Sequence, residues 1–125
     1  MTSRREARRT ALVLLFQWDV TGKPLGSLYE GEIDTWALDL AEGVRERAAE
    51  LDARVTEAAT DWSAERLGAV ERNILRIALY ELDRGEVPAE VAIDEAVTLA
   101  KRFASPDAGR LVNGILGRVA RETPR

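Results

Sequence analysis

Apolar side chains recur along this chain every three to four residues, and this spacing is the strongest constraint on its fold. A period near 3.6 residues is that of an α-helix with one buried face, whereas a half-buried strand alternates at every second residue. No segment of the chain shows the alternating pattern. The sequence therefore predicts an all-α fold.

The helix with the clearest pattern is predicted over residues 67–83 and ends before Gly85. Its predicted inward-facing residues are Val70, Ile74, Ile77, Ala78 and Leu82. A second amphipathic stretch starts near Asp34 and is expected to bend near Leu51, where the spacing of its apolar residues widens. Residues 61–63 then read as a junction between helices.

Two serines are predicted to begin helices. Ser3 stands three residues before Glu6, which is the spacing of a capping box. Ser105 is followed by Pro106, and proline favours the first position of a helix because it lacks the N–H that would be unpaired there. The apolar stripe of the first helix is expected to be Ala7, Ala11, Leu14, Leu15 and Trp18. Phe16 and Phe103 are also predicted to be core residues, as large aromatics commonly are.

The composition excludes several classes of function. The chain has neither cysteine nor histidine, so it has no thiolate nucleophile, no imidazole base and no disulfide. Glu90 and Asp94 share a helix face, but two carboxylates without a third ligand do not make a metal site. We therefore expect no catalytic residues, no metal and no cofactor. The longest apolar run is too short to span a bilayer and there is no signal peptide, which favours a cytoplasmic protein.

The net charge of −4 hides basic ends around an acidic middle. Residues 1–10 carry a net +3 and residues 101–125 a net +4, whereas residues 11–100 carry −11. If the two basic ends meet, they form a cationic surface suited to phosphate. The cations concerned are Arg4, Arg5, Arg8 and Arg9 at the start of the first helix, and Lys101, Arg102 and Arg110. Of these, Arg5, Arg8 and Arg9 lie off the predicted core stripe. The alternative is that these charges only solvate helix faces.

Four segments resemble the NusB family of bacterial transcription antitermination factors. They are RREARR (4–9), ERNILRIALYEL (71–82), AIDEAVTLAKRF (92–103) and VNGIL (112–116). The resemblance covers residues 4 to about 121. It implies a compact bundle of about seven helices in two packed helical subdomains, with the first and last helices near each other, and it makes residues 1–125 a single RNA-binding domain.

The resemblance also implies particular binding residues. In the family, the Arg-rich first helix and the start of the last helix are implicated in binding boxA RNA, and the matching positions here are Arg5, Arg8, Asp107, Arg110 and Leu111. The family usually has Phe where this chain has Leu111. Contact with NusE, a ribosomal small-subunit protein, is implied for Glu65 and Glu71. The expected function is RNA binding with NusE in an RNA polymerase antitermination complex, which supports processive transcription of ribosomal RNA.

Two other readings stay open at this point. One is a helical adaptor that binds only proteins. The other is an RNA-binding module related to the domain fused to ribosomal-RNA cytosine methyltransferases. Such an enzyme needs a second domain with a Gly-rich loop and a cysteine nucleophile, and this chain has no cysteine. The resemblance also leaves both a monomer and a homodimer open.

Overall fold

The computed structural model describes residues 3–59 and 67–122, which form six helices and no strand. The helices are α1 (Arg4–Thr21), α2 (Thr35–Glu46), α3 (Ala48–Ala58), α4 (Ala69–Arg84), α5 (Ala89–Phe103) and α6 (Pro106–Glu122). The all-α prediction is confirmed, with six helices in this part of the chain where about seven were expected. The predicted junction at residues 61–63 lies outside the described residues.

Both predicted serine caps are confirmed. The Ser3 hydroxyl oxygen accepts a hydrogen bond from the backbone N–H of Glu6 at 3.1 Å, so α1 begins at the next residue, Arg4. The Ser105 hydroxyl oxygen accepts from the N–H of Ala108 at 3.0 Å, and Pro106 is the first residue of α6. Each hydroxyl satisfies a backbone donor that has no partner inside its own helix.

The bend expected near Leu51 is a break between two helices at Arg47. The Arg47 guanidinium donates to Glu50 at 3.0 Å and to Asp83 at 2.7 Å, which ties the break to the last turn of α4. Arg54 also donates to Asp83, at 2.6 Å. Burial raises the pKa of Asp83 and is the largest single influence on it, but the hydrogen bonds from Arg54 and Arg47 outweigh it and lower that pKa.

Helix α4 is the centre of the fold and packs against each of the other five helices. The buried apolar side chains form one continuous cluster, so the described helices share a single core. The first and last helices, α1 and α6, do not pack extensively against each other. Helix α5 links them, because it packs along α6 and its Glu95 is hydrogen-bonded to Arg5 of α1.

A polar network fixes the direction of α1 relative to α4. One carboxylate oxygen of Asp19 accepts hydrogen bonds from Arg72 at 2.9 Å, from Asn73 at 3.0 Å and from Arg76 at 3.2 Å. Arg76 also donates to Asp52 of α3 at 2.6 and 2.7 Å. The last turn of α1 therefore lies beside the first turns of α4, and the two helices are antiparallel.

Helix α2 lies very close to the Tyr80 ring at Gly43. A Cβ atom at residue 43 would lie 2.8 Å from the Cε1 atom of Tyr80, which is closer than van der Waals contact allows. Gly43→Ala is expected to lower the free energy of unfolding by about 1–3 kcal/mol through overpacking. Gly114→Ala is the matched control, since a Cβ there meets nothing within 4 Å.

The control should leave stability unchanged or raise it by up to about 1 kcal/mol, as alanine favours a helix over glycine. Urea denaturation of both variants measures the difference. Equal stabilities for the two variants would mean that the Tyr80 ring moves aside at no cost.

Candidate nucleic-acid interface

The start of α1 is anchored to the middle of α5 by an ion pair. Arg5 donates from Nε and Nη2 to the Glu95 carboxylate at 3.1–3.4 Å. The hydrogen bond to Glu95 is the largest cause of a raised pKa at Arg5. Arg5 is otherwise exposed, whereas Glu95 is half-buried. One end of the predicted basic region is thereby placed next to the helix that carries Lys101 and Arg102.

The cations of α1 and α5 lie on one side of the protein. Helix α4 runs antiparallel to α1, and the short connection of residues 85–88 makes it antiparallel to α5 as well. Helices α1 and α5 therefore run in the same direction. From the Arg5–Glu95 contact, Arg9 is about 6 Å and Arg102 about 10 Å further along that direction. Arg102 also shares a helix face with Glu95, seven residues earlier.

Arg8 was predicted to lie off the core stripe of α1, but the structure buries it. Its side chain belongs to a residue only 4% exposed, and its Nε and Nη2 atoms donate to the two carboxylate oxygens of Glu81, each at 2.8 Å. The pKa of Arg8 is raised chiefly by this hydrogen bonding. Periodicity gave no sign of the burial because Glu81 lies 73 positions away in sequence. A phosphate reaches this guanidinium only if the pair opens.

Arg4 is held in place by an aromatic ring instead of an acid. The guanidinium carbon of Arg4 lies 4.4 Å from the centre of the Trp36 ring, and that of Arg8 lies 5.6 Å from it. These distances are those of cation–π contacts. Because the ring carries no charge, Arg4 keeps its full positive charge for an anion.

The predicted RNA-binding cations fall into two groups. Arg5, Arg8 and Arg110 are each paired with a carboxylate, on Glu95, Glu81 and Asp107 respectively. The other four predicted cations, Arg4, Arg9, Lys101 and Arg102, have no acidic partner within residues 3–59 and 67–122. Phosphate binding to this second group does not require an existing ion pair to break.

The start of α6 brings together the other predicted contacts. Asp107 and Arg110 are both exposed and form an ion pair with each other. Leu111 is half-buried and packs against the core cluster, so only part of its side chain faces solvent. Gly109 is buried beneath Lys101, because a Cβ there would lie 2.6 Å from Lys101 Cγ. The stem of Lys101 therefore lies across the first turns of α6.

The predictions for Phe16 and Phe103 as core residues are wrong. Phe16 is 38% exposed and Phe103 is 46% exposed. Phe103 is the last residue of α5, and the guanidinium carbon of its neighbour Arg102 lies 5.5 Å from the centre of its ring. The apolar stripe of α1 buries Leu14 and Leu15 and leaves Phe16 on the other side. The position of Phe16 off the predicted stripe was the sequence signal that could have revealed its exposure.

A row of exposed apolar residues on α1 was not anticipated. Val13, Phe16 and Val20 recur at helical spacing and are all exposed. The contact of Asp19 with Arg72 places this row at the same end of the bundle as the start of α4. Separately scattered apolar residues are ordinary on a surface, but apolar residues grouped on one helix face are typical of surfaces that bind a protein partner.

Glu71 stands in the first turn of α4, at this end of the bundle. Its carboxylate folds back towards Gly68, since a Cβ at residue 68 would lie 2.9 Å from Glu71 Oε2. An acid is favourable there because the N-terminus of a helix carries partial positive charge. Glu65, the other residue expected to contact a partner, lies outside the described residues.

In the part of the chain that the structure describes, no group of acidic side chains is arranged to hold a metal ion. Within residues 3–59 and 67–122, no helix combines the length and the apolar character needed to cross a bilayer. What the arrangement offers is a surface of unpaired cations beside exposed aromatic and apolar side chains.

The chain is similar to known proteins over nearly its whole length. The NusB family matches residues 5–121. The transcription antitermination protein NusB of Solibacter usitatus is 44% identical over 135 aligned positions, which cover 99% of this chain and 92% of that protein. Many further curated proteins match as well.

Two solved structures have the same fold. The structure of T. maritima NusB superposes with a TM-score of 0.85 at 34% identity, and the match covers 99% of this chain and 94% of that one. A crystal structure of the antitermination factors NusB and NusE in complex with double-stranded RNA gives a TM-score of 0.82 at 27% identity, and covers 96% and 97%. The family match extends across all six helices, including those that carry the basic surface, and the chain belongs to the NusB family.

Proposed function

We propose that this protein is a cytoplasmic transcription antitermination factor that binds single-stranded boxA-type RNA together with NusE. In this role it joins an RNA polymerase complex and supports processive transcription of ribosomal RNA. The observation that carries the proposal is the cluster of unpaired cations on one side of α1 and α5, in a chain of the NusB family. Similar chains are antitermination proteins, and a similar structure holds NusE and RNA.

The mechanism is binding without bond chemistry. Arg4, Arg9, Lys101 and Arg102 neutralise phosphates and release the counterions condensed on the RNA, which drives association at moderate salt. Arg5 contributes when a phosphate of the RNA replaces the Glu95 carboxylate as its partner, or when the phosphate and the carboxylate share the Arg5 guanidinium. Such contacts hold the strand without reading its sequence, so base recognition needs further groups.

NusE docks, in this proposal, at the end of the bundle formed by the last turns of α1 and the first turn of α4. The exposed row of Val13, Phe16 and Val20 supplies apolar area there. Glu71 stands at the same end of the bundle, next to Arg72, which contacts Asp19 of α1, and its charge suits a basic ribosomal protein because complementary charge speeds association. The RNA face and this end share α1, so one strand can contact both proteins.

The proposal is tested with a pair of double variants of equal charge change. Arg9→Ala with Arg102→Ala is expected to weaken binding of a boxA-like single-stranded RNA. Two lost phosphate contacts should also reduce the slope of log affinity against log salt by about 1.4, since each contributes about 0.7 for single strands. Fluorescence anisotropy at several salt concentrations measures both quantities.

The matched control is Arg45→Ala with Arg121→Ala. Both residues are exposed and lie outside the candidate surface, on α2 and α6. This variant should keep the wild-type salt slope. Equal losses in the two double variants would place the RNA on another surface, and a wild-type protein that binds no RNA with or without NusE would favour the protein-only adaptor.

A further inference from the structure

We propose that Phe103, with Arg102 beside it, is a stacking site for an unpaired base of the bound RNA. The inference rests on the proposed function. It adds a residue that contacts a base, whereas the cations contact only phosphate. The juxtaposition that carries it is an exposed phenyl ring beside the Arg102 guanidinium at the end of α5, next to the turn that begins α6.

Phe103 is the aromatic residue that the basic side of the protein leaves open to solvent. In residues 3–59 and 67–122, only Phe16 and Phe103 among the aromatic residues are exposed, and Phe103 is the more exposed of the two. The rings of Trp36 and Tyr80 also lie near arginine guanidiniums, but they are half-buried, so they offer a base less free surface than Phe103 does. Leu111 has no ring. A base that stacks on this side therefore has Phe103 as its platform.

The charges around Phe103 favour nucleic acid over protein. Arg102 lies over the ring at 5.5 Å, and within the described ranges it has no acidic partner. Lys101 is held across Gly109, so its stem is confined to the start of α6 while its ammonium group stays unpaired. Surfaces that bind single strands combine aromatic platforms with cations that follow the backbone.

Phe16 provides the contrast. It lies in a row with Val13 and Val20, and no guanidinium within the described residues stacks on its ring. Its surroundings are apolar, as at the centre of a protein interface. The two phenylalanines of the chain therefore belong to surfaces of different chemistry. A variant of either one is the control for a variant of the other in measurements of RNA and NusE binding.

The experiment compares Phe103→Leu, Phe103→Tyr and wild type with a boxA-like single-stranded RNA of about 12 nucleotides. Loss of one base–aromatic stack is expected to weaken binding by Phe103→Leu about 5- to 100-fold. Phe103→Tyr keeps the ring and should bind as wild type does. The salt slope should be the same for all three proteins, because no phosphate contact is removed.

RNAs with one abasic position, moved along the strand, identify the stacked base. At that position the abasic RNA should bind wild type and Phe103→Leu equally, because neither complex then has the stack. Photocrosslinking with 5-iodouridine at the same position should modify the peptide that contains Phe103. Val91→Ala, which removes an exposed apolar side chain elsewhere on α5, is the neutral control.

Phe16→Leu is expected to show the reverse preference and to weaken binding of NusE more than binding of RNA. Wild-type RNA affinity in Phe103→Leu, with or without a loss of NusE affinity, would overturn the inference while the proposed function stands. Failure of the wild-type protein to bind RNA would instead overturn the proposed function. Circular dichroism and thermal melts of each variant show that the fold is retained.

Discussion

Glu81→Ala is expected to lower the free energy of unfolding by about 3–5 kcal/mol. The substitution leaves the Arg8 guanidinium buried without its carboxylate partner, among apolar side chains that include Ile77 and Ala78. An uncompensated buried charge costs far more than the lost Coulomb attraction alone. Both residues are buried, at 4% and 7% exposure, so solvent does not screen the loss.

Urea denaturation measures the free energy of unfolding of Glu81→Ala, and Glu90→Ala is the control. Glu90 is an exposed acid on α5, and its removal should change stability by no more than about 0.5 kcal/mol. The double variant Arg8→Met with Glu81→Leu should recover most of the loss, because apolar residues of similar size replace the ion pair. A loss below about 1 kcal/mol in Glu81→Ala would mean that water reaches Arg8.

The double variant also decides what Arg8 does for RNA binding. If Arg8 acts by holding α1 against α4, the folded double variant keeps the wild-type salt slope for RNA. If Arg8 leaves Glu81 to bind a phosphate, the slope falls by about 0.7. The resemblance to the NusB family implies the second role for Arg8, whereas the 2.8 Å hydrogen bonds to Glu81 support the first.

The parts of the fold that depend on local sequence could be predicted. Ser3 and Ser105 begin helices because their hydroxyl groups reach backbone N–H groups three residues on, which needs no information from elsewhere in the chain. The apolar period placed α4 within two residues at its start and one at its end. The split charge distribution likewise indicated the basic ends.

The parts that depend on distant partners could not be predicted. Arg8 is buried because Glu81 faces it, and Asp19 joins α1 to α4 because Arg72, Asn73 and Arg76 converge on one carboxylate oxygen. Neither pairing follows from periodicity within a single helix. Gly109 is a further example. Glycine is needed there because the Lys101 side chain of α5 occupies the space that a Cβ atom of α6 would take, and this contact exists only in the folded protein.

The exposure of Phe16 and Phe103 was missed for a related reason. Large aromatic residues are commonly core residues, and that tendency was given more weight than the position of Phe16 off its apolar stripe. Phe103 lies at helical spacing with the buried stripe of α5, but it is the last residue of that helix and its ring is exposed. Residues that serve a partner depart from the pattern that folds the chain, so sequence rules fail at functional surfaces. The exposed row of α1 departs from the pattern in this way, and we therefore expect it to contact a partner.

Phe16→Asp is accordingly expected to weaken the binding of NusE by more than about 30-fold, the loss typical of a hot-spot residue. The change removes the largest side chain of the exposed row and places a charge where a partner would exclude water. Because Phe16 is exposed, the fold should remain intact. The added charge should also slow association less than it speeds dissociation, since most interface substitutions act on the dissociation rate.

Val91→Asp is the matched control for this prediction. Val91 is 41% exposed, against 38% for Phe16, and it lies on α5 near its start, away from the last turns of α1. Calorimetric titration of each variant with purified NusE measures the affinities. Similar affinities for the two variants would show that NusE docks on another surface. A loss confined to Phe16→Asp, with the salt slope for RNA unchanged, would assign the row on α1 to the protein partner and leave the cations of α1 and α5 to the RNA.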